Sequence, residues 1–137
     1  MTFWSIPLGA LGRQSANACR ELRHSALGHL QRILLGPQFF AGVPPGFDFS
    51  ILFEKELFPL LETLLKPGVY VLDPQGMSET RLRGVALLCK SFLQFCVQTP
   101  DTITETLKLW IPLLDYMDRF MNSGKRDQLV STLTYRS

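Results

Sequence analysis

Three cysteines, two histidines and a scatter of carboxylates are the residues of this chain that could do chemistry, and their spacing argues against it. Cys19, Cys89 and Cys96 are odd in number and fit no zinc spacing, and a zinc site needs about four converging ligands. His24 and His29 lie five positions apart, which puts them on different sides of a helix; His24 is expected in solvent and His29 beside an apolar stripe. Glu54, Glu56, Glu79 and Asp115 each have a surface or i,i+4 role. No glycine-rich phosphate loop occurs, and chain order alone supports no nucleophile–base set. The expectation is therefore no catalytic residue, no metal ligand and no cofactor, with any binding residues unassigned. Arg20, Arg23 and Arg32 come closest to a phosphate-binding face; their ordinary reading is a solvated stripe on one helix. Leu57-Phe58-Pro59-Leu60-Leu61 and Leu61-Glu62-Thr63-Leu64-Leu65 both fit the LxxLL pattern of helices that dock in receptor grooves. Overlapping copies on one helix favour a buried apolar face instead.

The totals agree with a non-catalytic reading. The chain has 137 residues, enough for one domain, with 46% apolar and 19% charged residues. The charged share is below the usual quarter of a soluble domain, which suggests surface that expects neighbours. The net charge of +2 comes from interspersed residues without blocks, so no nucleic-acid partner is expected. The cysteine usage points to a reducing, cytoplasmic setting. Met1–Ala10 lacks a basic start and is interrupted by Pro7, unlike a signal peptide. No run approaches the ~18 apolar residues of a membrane span.

The elements that would position these residues are helices. From Ala18 to Leu35, Leu22, Ala26, Leu30, Ile33 and Leu34 form an apolar stripe, which Gly36-Pro37 should end, glycine through a left-handed cap. Residues 38–49 read as a loop whose Phe39, Phe40 and Phe47 pack back on the helices. Asp48 or Ser50 should cap a helix to Lys66, with Leu57, Leu60, Leu61, Leu64 and Leu65 on its apolar face and a Glu62–Lys66 pair outside. After the Asp73-Pro74-Gln75-Gly76 turn, Ser78 should cap a helix to Gln98 whose buried stripe is Leu82, Val85, Cys89, Phe92 and Cys96, with Glu79–Arg83 paired outside. Thr99-Pro100-Asp101 breaks the chain, and Asp101 or Thr102 caps a last helix carrying Ile103, Leu107, Trp110, Leu114, Met117 and Met121, with Asp115–Arg119 paired.

Three prolines recur in an apolar-Pro-Leu setting, Pro7, Pro59 and Pro112, spaced by 52 and then 53 residues. A fixed period of this size points to stacked helical hairpins. The fold class expected is all-α, an α-solenoid of HEAT- or TPR-like hairpins with about two and a half repeats. Proline-bearing A-helices run over 4–13, 50–66 and 102–122, and B-helices over 17–35 and 78–98. Pro59 and Pro112 fall inside helices on this reading, where they would kink the axis. Residues 130–137 have little helical period.

Trp4-Ser5-Ile6-Pro7-Leu8, Arg20-Glu21-Leu22-Arg23, Leu30-Gln31-Arg32-Ile33-Leu34-Leu35, Leu57-Phe58-Pro59-Leu60-Leu61, Glu79-Thr80-Arg81-Leu82-Arg83, Leu87 through Gln94 and Leu109-Trp110 through Asp118 together resemble one known sequence. It is the far C-terminal region of the large Golgi-type Arf guanine-nucleotide exchange factors, the GBF/Gea class. The resemblance covers about positions 4 to 129. It implies one of the helical-repeat domains downstream of the catalytic exchange domain. That domain's F-R-L-P-G-E loop, with its catalytic glutamate, has no counterpart here, so no catalytic residue carries over.

The implied role is regulatory, membrane-targeting or partner-docking. The implied partners are Arf-pathway or Rab-type GTPases, other domains of the same exchange factor, and Golgi membrane lipids. The implied location is cytoplasmic, peripheral on Golgi membranes. After Leu129 the family continues into another helix and Val130–Ser137 departs from it. The organisation expected is a helical-repeat segment over 1–129 and a disordered, non-family tail over 130–137, a Val-Ser junction being what a read-through intron beginning GTAAGT would encode. That makes the chain a fragment on this reading. Two alternatives stand beside it: a generic solenoid adaptor, including an LxxLL receptor binder, and a membrane-surface module built on the Leu57–Leu65 face.

Overall fold

The computed structural model describes the backbone of residues 2–42, 47–98, 104 and 107–136, and the side chains of 8–39, 41–42, 47–98, 104 and 107–123. Its helices are α1 (Thr2–Gln14), α2 (Arg20–Leu34), α3 (Pro37–Ala41), α4 (Ser50–Leu52), a π-turn (Phe53–Leu57), α5 (Phe58–Leu65), α6 (Pro67–Tyr70), α7 (Met77–Gln98) and α8 (Trp110–Arg136). No strand occurs among the described residues. Helix α1, the α4–π–α5 rod and α8 form one layer, and α2 and α7 the other. Helix α1 packs on α2 and the π-turn, α2 on α7, α5 on α7 and α8, and α7 on α8. This is the expected two-layer solenoid of proline-bearing A-helices and intervening B-helices. The expected turn at Thr99-Pro100-Asp101, the caps Asp101 and Thr102, and Ile103 lie outside the described residues, as do the side chains of Trp4, Pro7 and Phe40.

Helix ends follow local chemistry, with three departures. Gly36 does stop α2, but not through a left-handed cap: a Cβ there would stand 2.6 Å from the Arg32 carbonyl oxygen, so close approach of the chain demands glycine. Asp48 is the acceptor at the next start, its Oδ1 receiving the Ser50 amide at 2.9 Å. Helix α7 begins one residue before the expected cap at Ser78, because the Met77 amide donates to the Asp73 carbonyl at 2.9 Å. Pro67 holds Lys66 extended at φ −66° and ψ 132°, ending α5 as proline does to the residue before it. The disorder expected over 130–137 has no counterpart, since α8 continues to Arg136. Nothing after Gly124 is a strong breaker, and Val, Ser and Thr each cost only ~0.5 kcal/mol in a helix.

The prolines sit differently from the expectation of two interior kinks. Pro112 is the third residue of α8, where its missing N–H would have been unpaired anyway. Pro59 follows the π-turn, whose Phe58 amide reaches back to the Phe53 carbonyl. A wider turn gives the carbonyls before Pro59 room beside the ring, which an α-turn would not. Helix α5 then restarts with its proline in the first turn.

The core is one cluster between the layers. Leu57, Leu60, Leu61, Leu64 and Leu65 are all within it, so both LxxLL matches are buried. Phe39 and Phe49, from the segment expected as a loop, stack on Phe95 at 6.3 and 4.4 Å, and Phe53 meets the same ring edge-on at 5.4 Å. Three stripes were offset in the sequence reading; near and along α8, Leu107, Trp110, Leu114 and Met121 are exposed and Leu109, Leu113 and Tyr116 buried. On α2 the buried face is Arg23, Ala26, Leu27, Leu30 and Leu34, while Leu22 is exposed. On α7 it is Met77, Thr80, Arg81, Gly84, Leu87, Leu88, Ser91, Phe92 and Phe95, while Leu82 is 69% exposed and Val85, Cys89 and Cys96 are half-buried. Gly84 admits the neighbouring helix: a Cβ there would stand 3.0 Å from Leu64 Cδ1.

The two faces of α7 give a direct stability test. Leu88 is 1% exposed, so Leu88→Ala should cost ~2–5 kcal/mol, whereas Leu82→Ala should stay within about 0.5 kcal/mol. Thermal melting of the two variants checks this, and similar losses would contradict the assigned face.

Candidate functional site

The side chains considered for chemistry do not converge. Cys19 is exposed and Cys89 and Cys96 are half-buried on α7, where burial pushes both thiols above their ordinary range. Among the described residues no His, Cys, Asp and Glu group could hold a metal ion. His24 is not in solvent as expected. Its Nε2 lies 3.1 Å from Thr80 Oγ1, and burial, with Arg83 nearby, holds its pKa below the ordinary value. His29 is exposed rather than beside the stripe, with Nδ1 2.7 Å from Arg32 Nη2.

Of the three arginines expected on a solvated stripe, Arg32 is exposed, while Arg20 and Arg23 make the central polar cluster instead. Arg23 is fully buried. Its Nε donates to Thr80 Oγ1 at 2.9 Å and its Nη1 to the Asn17 and Ala18 carbonyls at 3.1 and 3.2 Å. Its Nη2 donates to Asp73 Oδ2. Arg20 grips the same carboxylate with Nε and Nη2, both at 2.9 Å. The Asp73-Pro74-Gln75-Gly76 turn thereby carries the anion, and the Gly76 amide adds a bond to Asp73 Oδ1 at 3.2 Å. A Cβ on Gly76 would fall 2.2 Å from Arg20 Nε, so a side chain there would push Arg20 off the carboxylate. The bonds from Arg20, then those from Arg23, hold the Asp73 carboxyl well below its usual range. With both guanidiniums committed to one carboxylate and Arg32 on His29, the stripe presents no free phosphate clamp. Arg23 was hidden in the sequence because it occupies an apolar phase of α2; the signal was its spacing of 3, 4, 7 and 11 to Ala26, Leu27, Leu30 and Leu34.

A second polar staple joins α5 to α8. Glu62 was expected to pair with Lys66 along its own helix. It instead accepts from Arg119 Nη1 and Nη2 at 2.5 and 2.9 Å and from Tyr116 Oη at 3.0 Å. The Arg119 bonds lower the Glu62 pKa, while burial, then the Glu62 bond, pushes Tyr116 up to about 12. Phe58 stacks on Tyr116 at 4.9 Å beneath this pair. The Asp115–Arg119 pair is present only as a 3.9 Å contact, and Glu79–Arg83 forms as expected at 2.9 Å.

One surface feature is apolar. Helices α7 and α8 meet along a cleft of about 310 Å³ lined by Leu82, Val85, Met117, Phe120 and Met121, with Arg81 in its wall. Arg81 itself is held inside, its Nε donating to the Leu64 carbonyl at 2.7 Å. No helix among the described residues is long and apolar enough to cross a membrane.

The buried cluster makes two measurable demands. Arg23→Met should cost about 3 kcal/mol, near the value for breaking a buried ion pair, and Arg20→Ala much less, because Arg20 is half exposed; equal losses would show that Arg23 is not the anchor. Stability should also depend on pH with a defined sign. Asp73 and Glu62 are depressed in the fold, so their stabilisation is complete above the ordinary carboxylate pKa of about 4 and is lost as pH falls below it. Melting temperatures that stay flat from about pH 5 to pH 3 would contradict this.

Comparison with known proteins matches this sequence to a family. The model of the GBF1-like tetratricopeptide-repeat region matches residues 4–134, reaching past Leu129, where a boundary was expected. A curated relative, the Golgi-specific brefeldin A-resistance guanine nucleotide exchange factor 1 homolog of Caenorhabditis elegans, is 36% identical over 118 residues, covering 86% of this chain. The chain spans about 6% of that relative's length. No solved structure matches. A match of this extent to a two-layer helical array with the family's ordered residues leads to one conclusion: the chain belongs to the GBF1-like family and corresponds to its tetratricopeptide-repeat region.

Proposed function

We propose that this chain is a non-catalytic regulatory, membrane-targeting or partner-docking segment of a guanine-nucleotide exchange factor for Arf GTPases in Golgi vesicle traffic. The observation that carries this reading is the family match over residues 4–134. The architecture supports it physically, since stacked helical hairpins are extended surfaces whose side chains serve contact rather than chemistry. The chain's sequence also lacks the F-R-L-P-G-E segment that exchange chemistry would need. Its partners on this reading are Arf-pathway or Rab-type GTPases, other domains of the same factor, and Golgi lipids.

The LxxLL receptor-binder form of the adaptor alternative and the membrane-surface module built on Leu57–Leu65 lose their motivating feature. Leu57, Leu60, Leu61, Leu64 and Leu65 are exposed by at most 6%, so that helix has no free face for a bilayer or a receptor groove without unfolding.

The test is nucleotide exchange in two settings. The purified chain should leave the release of labelled nucleotide from an Arf GTPase at its intrinsic rate. Removing the corresponding segment from the full-length exchange factor should leave exchange in solution intact and reduce exchange on Golgi-like liposomes. Stimulated release by the chain alone, or unchanged activity of the truncated factor on membranes, would overturn the reading.

A further inference from the structure

Exposed charge is divided unevenly between the two layers. On the A-helices the exposed acids are Glu54, Glu62, Asp115 and Asp118. On the B-helices the acids sit only in the first turns, at Glu21 and Glu79. No acid follows in α2 from Leu22 to Leu34 or in α7 from Thr80 to Gln98. Beyond those turns the exposed charges of the B-layer are Arg32, Arg83 and Lys90, all positive. Arg83 pairs with Glu79 at 2.9 Å, whereas Lys90 has no counter-ion among the described residues.

The outer ridge of α7 joins this charge to apolar side chains. Leu82, Arg83, Ala86, Lys90, Leu93 and Val97 recur at intervals of three and four and so share one side of the helix. Leu82, Leu93 and Val97 are 69, 64 and 74% exposed, spread over about 22 Å at 1.5 Å per residue. The buried face, with Leu87, Leu88, Ser91 and Phe95, lies on the opposite side. Arg83 and Lys90 edge the ridge toward α2, where with Gln31 they line a groove of about 230 Å³. Leu93 and Val97 line neither that groove nor the α7–α8 cleft; they stand on the crest between them.

A crest suits a flat partner. A partner helix would need a groove to cover such side chains from two sides. A lipid interface covers them from above, taking apolar side chains into the headgroup boundary while cations rest at its anionic surface. The exposed acids of α8 are repelled by that surface, so the contact is α7 together with the α2 edge.

We propose that the outer ridge of α7 docks on an anionic lipid bilayer, with Leu82, Leu93 and Val97 in the headgroup boundary and Arg32, Arg83 and Lys90 over the lipid anions. The proposal rests on the membrane-targeting part of the reading above and names the surface that performs it.

The test is co-sedimentation of the full chain with phosphatidylcholine vesicles, with and without phosphatidylserine. Binding to the mixed vesicles is expected, at least about tenfold weaker without phosphatidylserine and weakened by added salt. Lys90→Glu and Leu93→Ser should each weaken it at least about fivefold at unchanged melting temperature. Val97→Ser repeats the apolar arm at a second exposed position. Lys90→Arg should retain binding, and Lys55→Glu, which removes an exposed cation of the A-layer, should leave it unchanged. Inorganic phosphate at matched ionic strength should not compete, because it offers nothing to the apolar side chains. No binding, equal binding without phosphatidylserine, no effect of the ridge substitutions, an equal loss with Lys55→Glu, or competition by phosphate would overturn the proposal. So would a ridge that binds an acidic helical peptide, or a second copy of the chain, in place of vesicles. Vesicle binding is read without Arf. A chain that binds while the truncated factor keeps its activity on membranes contradicts the functional reading alone. A chain that fails to bind while truncation lowers that activity contradicts this surface alone.

Discussion

A guanidinium cut off from water organises this fold. Burying an arginine costs several kcal/mol unless its donors are all met in good geometry. Arg23 meets that condition with groups from three places: the turn before α2, the turn before α7, and the first turn of α7. Only one relative placement of the two B-helices satisfies all of them. The requirement spreads outward. Asp73 must be anionic, so a second arginine shares it; Gly76 must lack a side chain, so that Arg20 can reach the carboxylate. Thr80 receives Arg23 and passes its own hydroxyl hydrogen to the Gly76 carbonyl at 3.2 Å. The start of α7 is therefore set by charge and hydrogen bonding, and the leucines beyond it pack where that start directs them.

The other layer is joined by different physics. Glu62 and Arg119 are 47 and 31% exposed, and a pair at that exposure contributes ~1 kcal/mol at most. What holds α8 is the apolar contact beneath: Leu113, Phe58 on Tyr116, and Phe92 against Trp110 at 5.7 Å. A continuous A-layer also needs its prolines placed without breaking the rod. The π-turn before Pro59 and the first-turn position of Pro112 achieve this by moving each proline to where its missing donor is least costly. Pro59 and Pro112 therefore mark helix starts rather than kinks, while Pro7, the first of the series, is the sixth residue of α1.

This explains which parts of the structure were legible in the sequence. The order of the long helices, the ends of α2 and α5 and the start of α7 were, because Gly36-Pro37, Lys66-Pro67 and the Asp73–Gly76 turn are strong local signals that tertiary packing had no reason to override; the short helices α3 and α6 and the reach of α8 to Arg136 were not. The resemblance carried the family for the same reason: ordered motifs survive without any knowledge of faces. The facing of α7 was not legible. Apolar side chains cover two of its sides, so periodicity alone does not say which side meets α5. Leu82 and Cys89 made as good a stripe as Leu88 and Phe95. Arg23 and Arg81 were misplaced because hydrophobic patterning counts every arginine as surface, whereas both are inside with named acceptors.

The double apolar coverage of α7 has a structural logic beyond that ambiguity. In a stacked array each internal helix needs contact surfaces for the neighbour before it and the neighbour after it, so an interior B-helix is necessarily apolar on more than one side. Helix α2, by contrast, has exposed polar residues Arg20, Glu21, Gln31 and Arg32 around a single buried face. The asymmetry between the two B-helices is thus a direction written along the solenoid. The α2 side of the described helices is charged, and the α7–α8 side carries leucine, methionine and tryptophan. A surface of that kind is costly to leave in water at roughly 25 cal/mol per Å², and association there draws on the same term that builds the core. The array presents this contact side next to α8, which apolar contacts hold together with one polar staple at Glu62.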